Sequence, residues 1–154
     1  MKTYRIFREQ FLPITLKEAW EFFATPDNLS KITPSDMSFE IIRTEKNTMI
    51  YSGMKIHYRL RPLFNIPVSW TTEIKNVNAP HSFTDTQLNG PYSLWEHTHT
   101  FEAVHGGVKM TDDVKYALPL GLLGTIVHSL IVKKRLEDIF NFRKKTLDTF
   151  FNKH

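Results

Sequence analysis

The sequence contains no cysteine, which excludes disulfide bonds, thiolate catalysis and any zinc site built on sulfur. It also lacks a long apolar run. Its most apolar stretch, Gly121 to Val132, is interrupted by His128 and Ser129 and falls short of the ~18 residues that a membrane-spanning helix needs. The opening residues, MKTYRIFREQF, alternate charges with aromatics and have no secretion-signal apolar core. There is no Gly-rich phosphate loop, dinucleotide-binding fingerprint or HExxH pattern. Charge of one sign is not concentrated either. The net +4 comes from scattered basic residues, apart from Lys133-Lys134-Arg135 and Arg143-Lys144-Lys145, and both clusters fall on an expected helix, where they read as a solvated face. The expectation is a soluble, cytoplasmic protein without stable membrane insertion, nucleic-acid partner, cofactor or metal.

Aromatic residues are present in quantity. Twelve Phe, five Tyr and three Trp make up 13% of the chain, so a large aromatic area must be hidden or must line a pocket. A length of 154 residues fits one domain, residues 1–154, with a core sufficient to fold unaided.

Periodicity supplies the architecture. Tyr4 to Leu12 alternates as a strand that Pro13 ends. Thr15-Leu16-Lys17-Glu18 is a capping-box pattern, followed by an apolar helical face of Ala19, Trp20, Phe22 and Phe23. Thr25 and Pro26 are placed to cap and open a second short helix that ends near Thr33-Pro34. Strands are expected over Met37–Thr44, Met49–Leu60, Val68–Lys75 and His81–Leu88. A turn at Glu45-Lys46-Asn47 joins the first two, and a connector holding Pro62 and Pro67 precedes the third. From Gly121 onward Val127, Leu130, Leu136, Ile139, Phe140, Leu147 and Phe151 recur at helical spacing. Gly124 is expected to separate a short opening turn from the main helix.

The stretch Pro91 to Leu118 reads as two strands joined at His105-Gly106-Gly107. Alternation puts Trp95, His97, His99 and Phe101 on one face of the first, and Val108, Met110, Asp112, Val114, Tyr116 and Leu118 on one face of the second. Asp85 and Gln87 on the preceding strand extend the inward polar set. The fold class is therefore α+β, in the order β-α-α-β6-α: a curved seven-stranded antiparallel sheet wrapped around a long C-terminal helix, with an internal cavity between them.

This order resembles the START-like, or SRPBCC, superfamily, the helix-grip fold of pollen allergens, lipid-transfer domains and aromatic polyketide cyclases. Trp95-Glu96-His97-Thr98-His99-Thr100-Phe101, Gly106-Gly107, Asp112-Asp113-Val114-Lys115-Tyr116 and Pro119-Leu120-Gly121 resemble bacterial ligand-binding members in particular. Function does not follow from the fold alone.

Three roles compete for His97, His99 and Asp112. They form a mutually bonded network on the sheet floor, they orient one polar end of a guest, or they act as an acid-base pair or metal ligands. His-x-His is by itself a weak metal signal, since alternating strand positions produce it by chance. The leading expectation is binding of an apolar or amphipathic small molecule of lipid, polyketide or aromatic type. Its site would be lined by Trp20, Met54, Tyr58, Trp70, Trp95, His97, His99, Phe101, Met110, Asp112 and Tyr116. The alternative is a cyclase or dehydratase using His97, His99 and Asp112.

Overall fold

Alternation along the strands becomes a single seven-stranded antiparallel sheet, ordered β1-β7-β6-β5-β4-β3-β2. The computed structural model describes residues 2–43, 45 and 48–152, without the side chain of Arg43. The strands are β1 (Tyr4–Leu12), β2 (Glu40–Arg43), β3 (Lys55–Leu63), β4 (Ile66–Asn78), β5 (Ser82–Asn89), β6 (Leu94–Val104) and β7 (Gly107–Ala117). Between β1 and β2 lie α1 (Leu16–Phe23), a 3-10 helix (Pro26–Ile32) and a 3-10 turn (Ser35–Met37). The C-terminal rod runs without a break through α2 (Gly121–Val127), a π-helical turn (His128–Val132) and α3 (Lys133–Phe151).

Local chemistry explains most of these boundaries. Thr15 accepts from the Glu18 amide while Glu18 reaches back to the Thr15 amide, so both halves of the capping box are made. The β6–β7 hairpin pairs Val104 with Gly107 and leaves His105 and Gly106 as its turn, Gly106 at φ +81°. Gln10 on β1 is buried and donates to the Lys144 carbonyl and to Asp148, which fastens the first strand to α3.

Four expectations shift. Thr25 makes no side-chain cap; its hydroxyl donates backward to the Glu21 carbonyl, because α1 leaves that carbonyl free where the chain turns. Met37 lies in a 3-10 turn rather than in β2, which starts at Glu40. Thr44 and two residues of the expected turn, Lys46 and Asn47, lie outside the described residues. Residues 49–54 form no strand: the Ile50 amide is tied to the Ala24 carbonyl, and Ser52 accepts from the Val77 amide. The prolines expected in a connector sit inside strands. Pro62 and Pro67 flank a two-residue hairpin turn, Phe64-Asn65, in which both φ angles are positive. The pairing there skips from Leu60 to Leu63, and neither proline is asked for a ladder hydrogen bond.

Candidate functional site

The site begins with register. Asp85 on β5 stands opposite His97 on β6, and His99 on β6 stands opposite Asp112 on β7. All four side chains share the inward face, so two imidazoles and two carboxylates form a square. The hydrogen bonds run along its diagonals. His97 Nε2 lies 2.7 Å from Asp112 Oδ1, and His99 Nε2 lies 2.6 Å from Asp85 Oδ2, while the directly opposite pairs are 3.7 and 3.6 Å apart. The two rings stack at 3.7 Å between centroids, and Phe83 covers the other side of His99 at 4.2 Å.

Arg143 of α3 completes the cluster. Its Nη2 donates to Asp112 Oδ1 at 3.0 Å, and its guanidinium lies over the Phe23 ring. The basic cluster around it suggests a solvated face for this residue, but only 6% of it is exposed. The correction is geometric. Leu136, Phe140, Arg143 and Leu147 follow i, i+4, i+7, i+11, so Arg143 belongs to the buried stripe, while its neighbours Lys144 and Lys145 stay outside. That spacing was the available signal.

Electrostatics follow from the packing. Burial works to raise both carboxyls, but for Asp112 the Arg143 cation and the His97 bond outweigh it, and for Asp85 the His97 charge and the His99 bond do. Both are held below the usual carboxylate range. His99 moves the other way: burial, then the charge of His97, depresses it to about 4 against the pull of Asp85.

Above this floor, between the sheet and the C-terminal helix, is a cavity of about 190 Å³. Its walls come from the end of α1 (Phe22, Phe23), the 3-10 helix (Asn28, Leu29, Ile32), strands β2 to β6, and α3 (Leu136, Ile139, Phe140, Arg143). A second cavity of about 220 Å³ adjoins it under Leu118 to Leu120 and shares Pro62, Tyr92, Leu136 and Ile139 with it.

The expected lining residues divide. Tyr58, Trp70, Trp95, His97 and His99 face the cavity. Asp112 lies just behind them, reached through His97 and Arg143. Trp20, Met54, Phe101 and Met110 do not line it: they pack in the core beneath α1, with Trp20 edge-on to Phe83 and Phe101. Tyr116 is also withdrawn, because its hydroxyl pairs with His128 Nε2 at 2.6 Å. Alternation tells which face a side chain takes, but not whether a helix already covers it. Two residues outside the expected site belong to it: Arg143, expected on a solvated face, and Asp85, expected only on the inward face.

Among the described residues, three polar atoms with essentially no exposed surface, on side chains that elsewhere line the cavity, have no hydrogen-bond partner: Trp70 Nε1, His99 Nδ1 and Arg143 Nε. In most native interiors such atoms are paired. Among the described residues Asp85, His97 and His99 each place a metal-type ligand atom within 4.8 Å of the others. Those atoms are already engaged with one another and with Asp112 beside a guanidinium, so the arrangement is that of a hydrogen-bonded network.

No protein-family model matches the chain, and no curated protein does. Solved structures do. Protein CV1439 from Chromobacterium violaceum is similar over 100% of both chains at 12% identity and a TM-score of 0.72. Protein TTHA0849 from Thermus thermophilus is similar over 94% of this chain and 97% of its own, at 14% identity and 0.70. The ginseng major latex-like protein 151 from Panax ginseng covers 97% of each chain at 12% identity and 0.69. The chain therefore shares the fold of these structures, a curved antiparallel sheet gripping a long C-terminal helix.

Proposed function

We propose that the protein binds a compact apolar or amphipathic small molecule in the cavity between the sheet and the C-terminal helix. One observation carries the reading: an apolar-walled cavity between sheet and helix whose lining includes the buried polar side chains His97, His99 and Arg143. Ligand sites are commonly built this way, from an apolar wall with a few polar groups that fix orientation. The volume of about 190 Å³ lies under the ~300 Å³ at which common ligand pockets begin, which favours a compact aromatic guest over a long acyl chain or a multi-ring polyketide. Among the described residues no helix is long and apolar enough to cross a membrane. The reading assigns a soluble, cytoplasmic setting and no nucleic-acid partner.

Native mass spectrometry tests it. The purified protein is expected to carry an organic guest that solvent extraction releases, and Ile139→Trp, which fills the wall shared by the two cavities, should carry none. A protein that arrives empty from several expression hosts and takes up no apolar probe would sink the reading.

A further inference from the structure

Single exposed apolar side chains are ordinary on a protein surface. One region of this molecule gathers them instead. Leu120, Leu122, Leu123, Ile126 and Leu130 are each at least half exposed, Leu122 at 79%, while Gly124, His128 and Val132 of the same rod are buried. Leu122, Ile126 and Leu130 follow i, i+4, i+8 with Leu123 beside them, so the outward face of α2 and the π turn is as apolar as the inward one. The β3–β4 turn adds Phe64, 69% exposed, and Ile66. That turn lies against the same rod. Leu63, Leu120 and Val127 line the second cavity together, and Arg135 Nε donates to the Pro62 carbonyl at 2.8 Å. Exposed apolar side chains gathered in this way mark an interaction site.

Charge says what covers it. Neither residues 46–72 nor residues 114–136, the stretches that carry the two segments, contain an Asp or Glu. Lys2 lies over the Tyr4 ring, which stacks on His128, and Lys133 follows the π turn directly. Among the described residues Lys2, Arg61 and Lys133 have no carboxylate partner, whereas Lys134 is held by Asp138 and Arg135 by Asp36. A second copy seated here would bring like charges together across a two-fold interface. An anionic lipid surface takes apolar side chains and cations at once.

We infer that the exposed face of residues 120–130, with the β3–β4 turn beside it, seats on a bilayer that displays anionic headgroups. Leu122, Leu130 and Phe64 enter the interfacial layer, and Lys2, Arg61 and Lys133 meet the headgroups. The docking is peripheral, since among the described residues no helix is long and apolar enough to cross a membrane. It stands apart from guest binding in the cavity.

Flotation with vesicles of phosphatidylcholine alone, or with about 30% phosphatidylglycerol, tests it. The protein is expected to bind the anionic vesicles at least about tenfold more tightly than the neutral ones, and more weakly in ~0.5 M salt, where charges are screened. Leu122→Ser with Leu130→Ser should weaken that binding about tenfold, and so should Lys133→Glu. Phe11→Ser, at the opposite end of β1 from Tyr4, should leave it within about twofold. Should the double variant not fold, Leu122→Trp asks the same question, and its fluorescence should move to the blue on anionic vesicles. Absence of binding, equal binding to both vesicle types, or binding that the Leu122 and Lys133 changes leave intact overturns the inference and leaves cavity binding standing. A dimer in sedimentation velocity that Leu122→Ser with Leu130→Ser dissolves gives the face to a second copy and overturns it likewise.

Discussion

Arg143 is a cation kept from water by the fold, and its partner decides its cost. Asp112 accepts from both Arg143 and His97. Asp112→Leu would leave the guanidinium buried and unpaired, and should cost about 3–5 kcal/mol in urea unfolding. Asp112→Leu with Arg143→Met removes both charges and should be less damaging than the single change by roughly 1–3 kcal/mol. Additive losses would show that the pair does not act as a unit. The same cluster sets a pH dependence. The folded protein holds His99 at about 4, below its ordinary 6.5, so the unfolded chain binds the extra proton between those values. Stability should be full above pH 6.5 and fall as pH drops toward 4, at ~1.4 kcal/mol per unit, or on the order of 3 kcal/mol in all. Asp85 and Asp112, both depressed, extend the loss below about pH 3.9. The ionisable groups around His99 are Asp85, His97 and Asp112, with Arg143 bonded to Asp112, and His99→Phe should flatten the upper part of the curve. The inward face of His97, His99 and Asp112 was legible in the sequence because a period of two fixes it. Which carboxylate each imidazole takes was not, since diagonal and direct partners differ only in side-chain torsion.

Gly124 shows the same division at the scale of an element. The sequence reads it as a break between an opening turn and the main helix, yet α2 runs straight through it. The irregularity falls later, in the π turn His128–Val132, whose two end residues are both buried. His128 stacks on Tyr4 at 3.5 Å and pairs with Tyr116, so the wider turn meets β1 and β7 together. Gly124 is needed for close approach instead: a Cβ there would stand 2.2 Å from the Pro119 carbonyl. In an ordinary helix interior Gly→Ala gains about 1 kcal/mol. Here Gly124→Ala should lose roughly 1–3 kcal/mol by overpacking, and a thermal melt that rises would refute the account. Element order and β1, α1, β6 and β7 were readable because caps and alternation are local. The β3–β4 turn was not. Phe64 at positive φ departs from turn propensity, and the reading followed the prolines, which tertiary context seats within the strands.

Three groups of buried apolar side chains divide the interior. One lies under α1 with Leu12, Phe101, Met110 and Leu147; one joins β7 to the last helix through Val114, Tyr116, Leu136 and Phe140; and one gathers Met37, Leu60 and Trp70. The cavity opens where they meet, since its walls draw on Phe22 and Ile56 of the first, Leu136 and Phe140 of the second, and Met37 and Trp70 of the third. Its position therefore comes from how the sheet and the C-terminal helix pack over distant parts of the chain, which no local pattern encodes. Ile139 spans the junction, packing on the second and third groups and lining both cavities. A guest that binds only the folded state, at a hundred times its Kd, stabilises it by ~2.7 kcal/mol. For a chain of this length that raises Tm by roughly 5–11 °C. With 2-naphthol as the guest the unaltered protein should show that rise. Ile139→Trp should melt at or above the guest-free value without it, and should not respond. An equal rise in both proteins would place the probe outside the junction, and with it any guest that the cavity is proposed to hold.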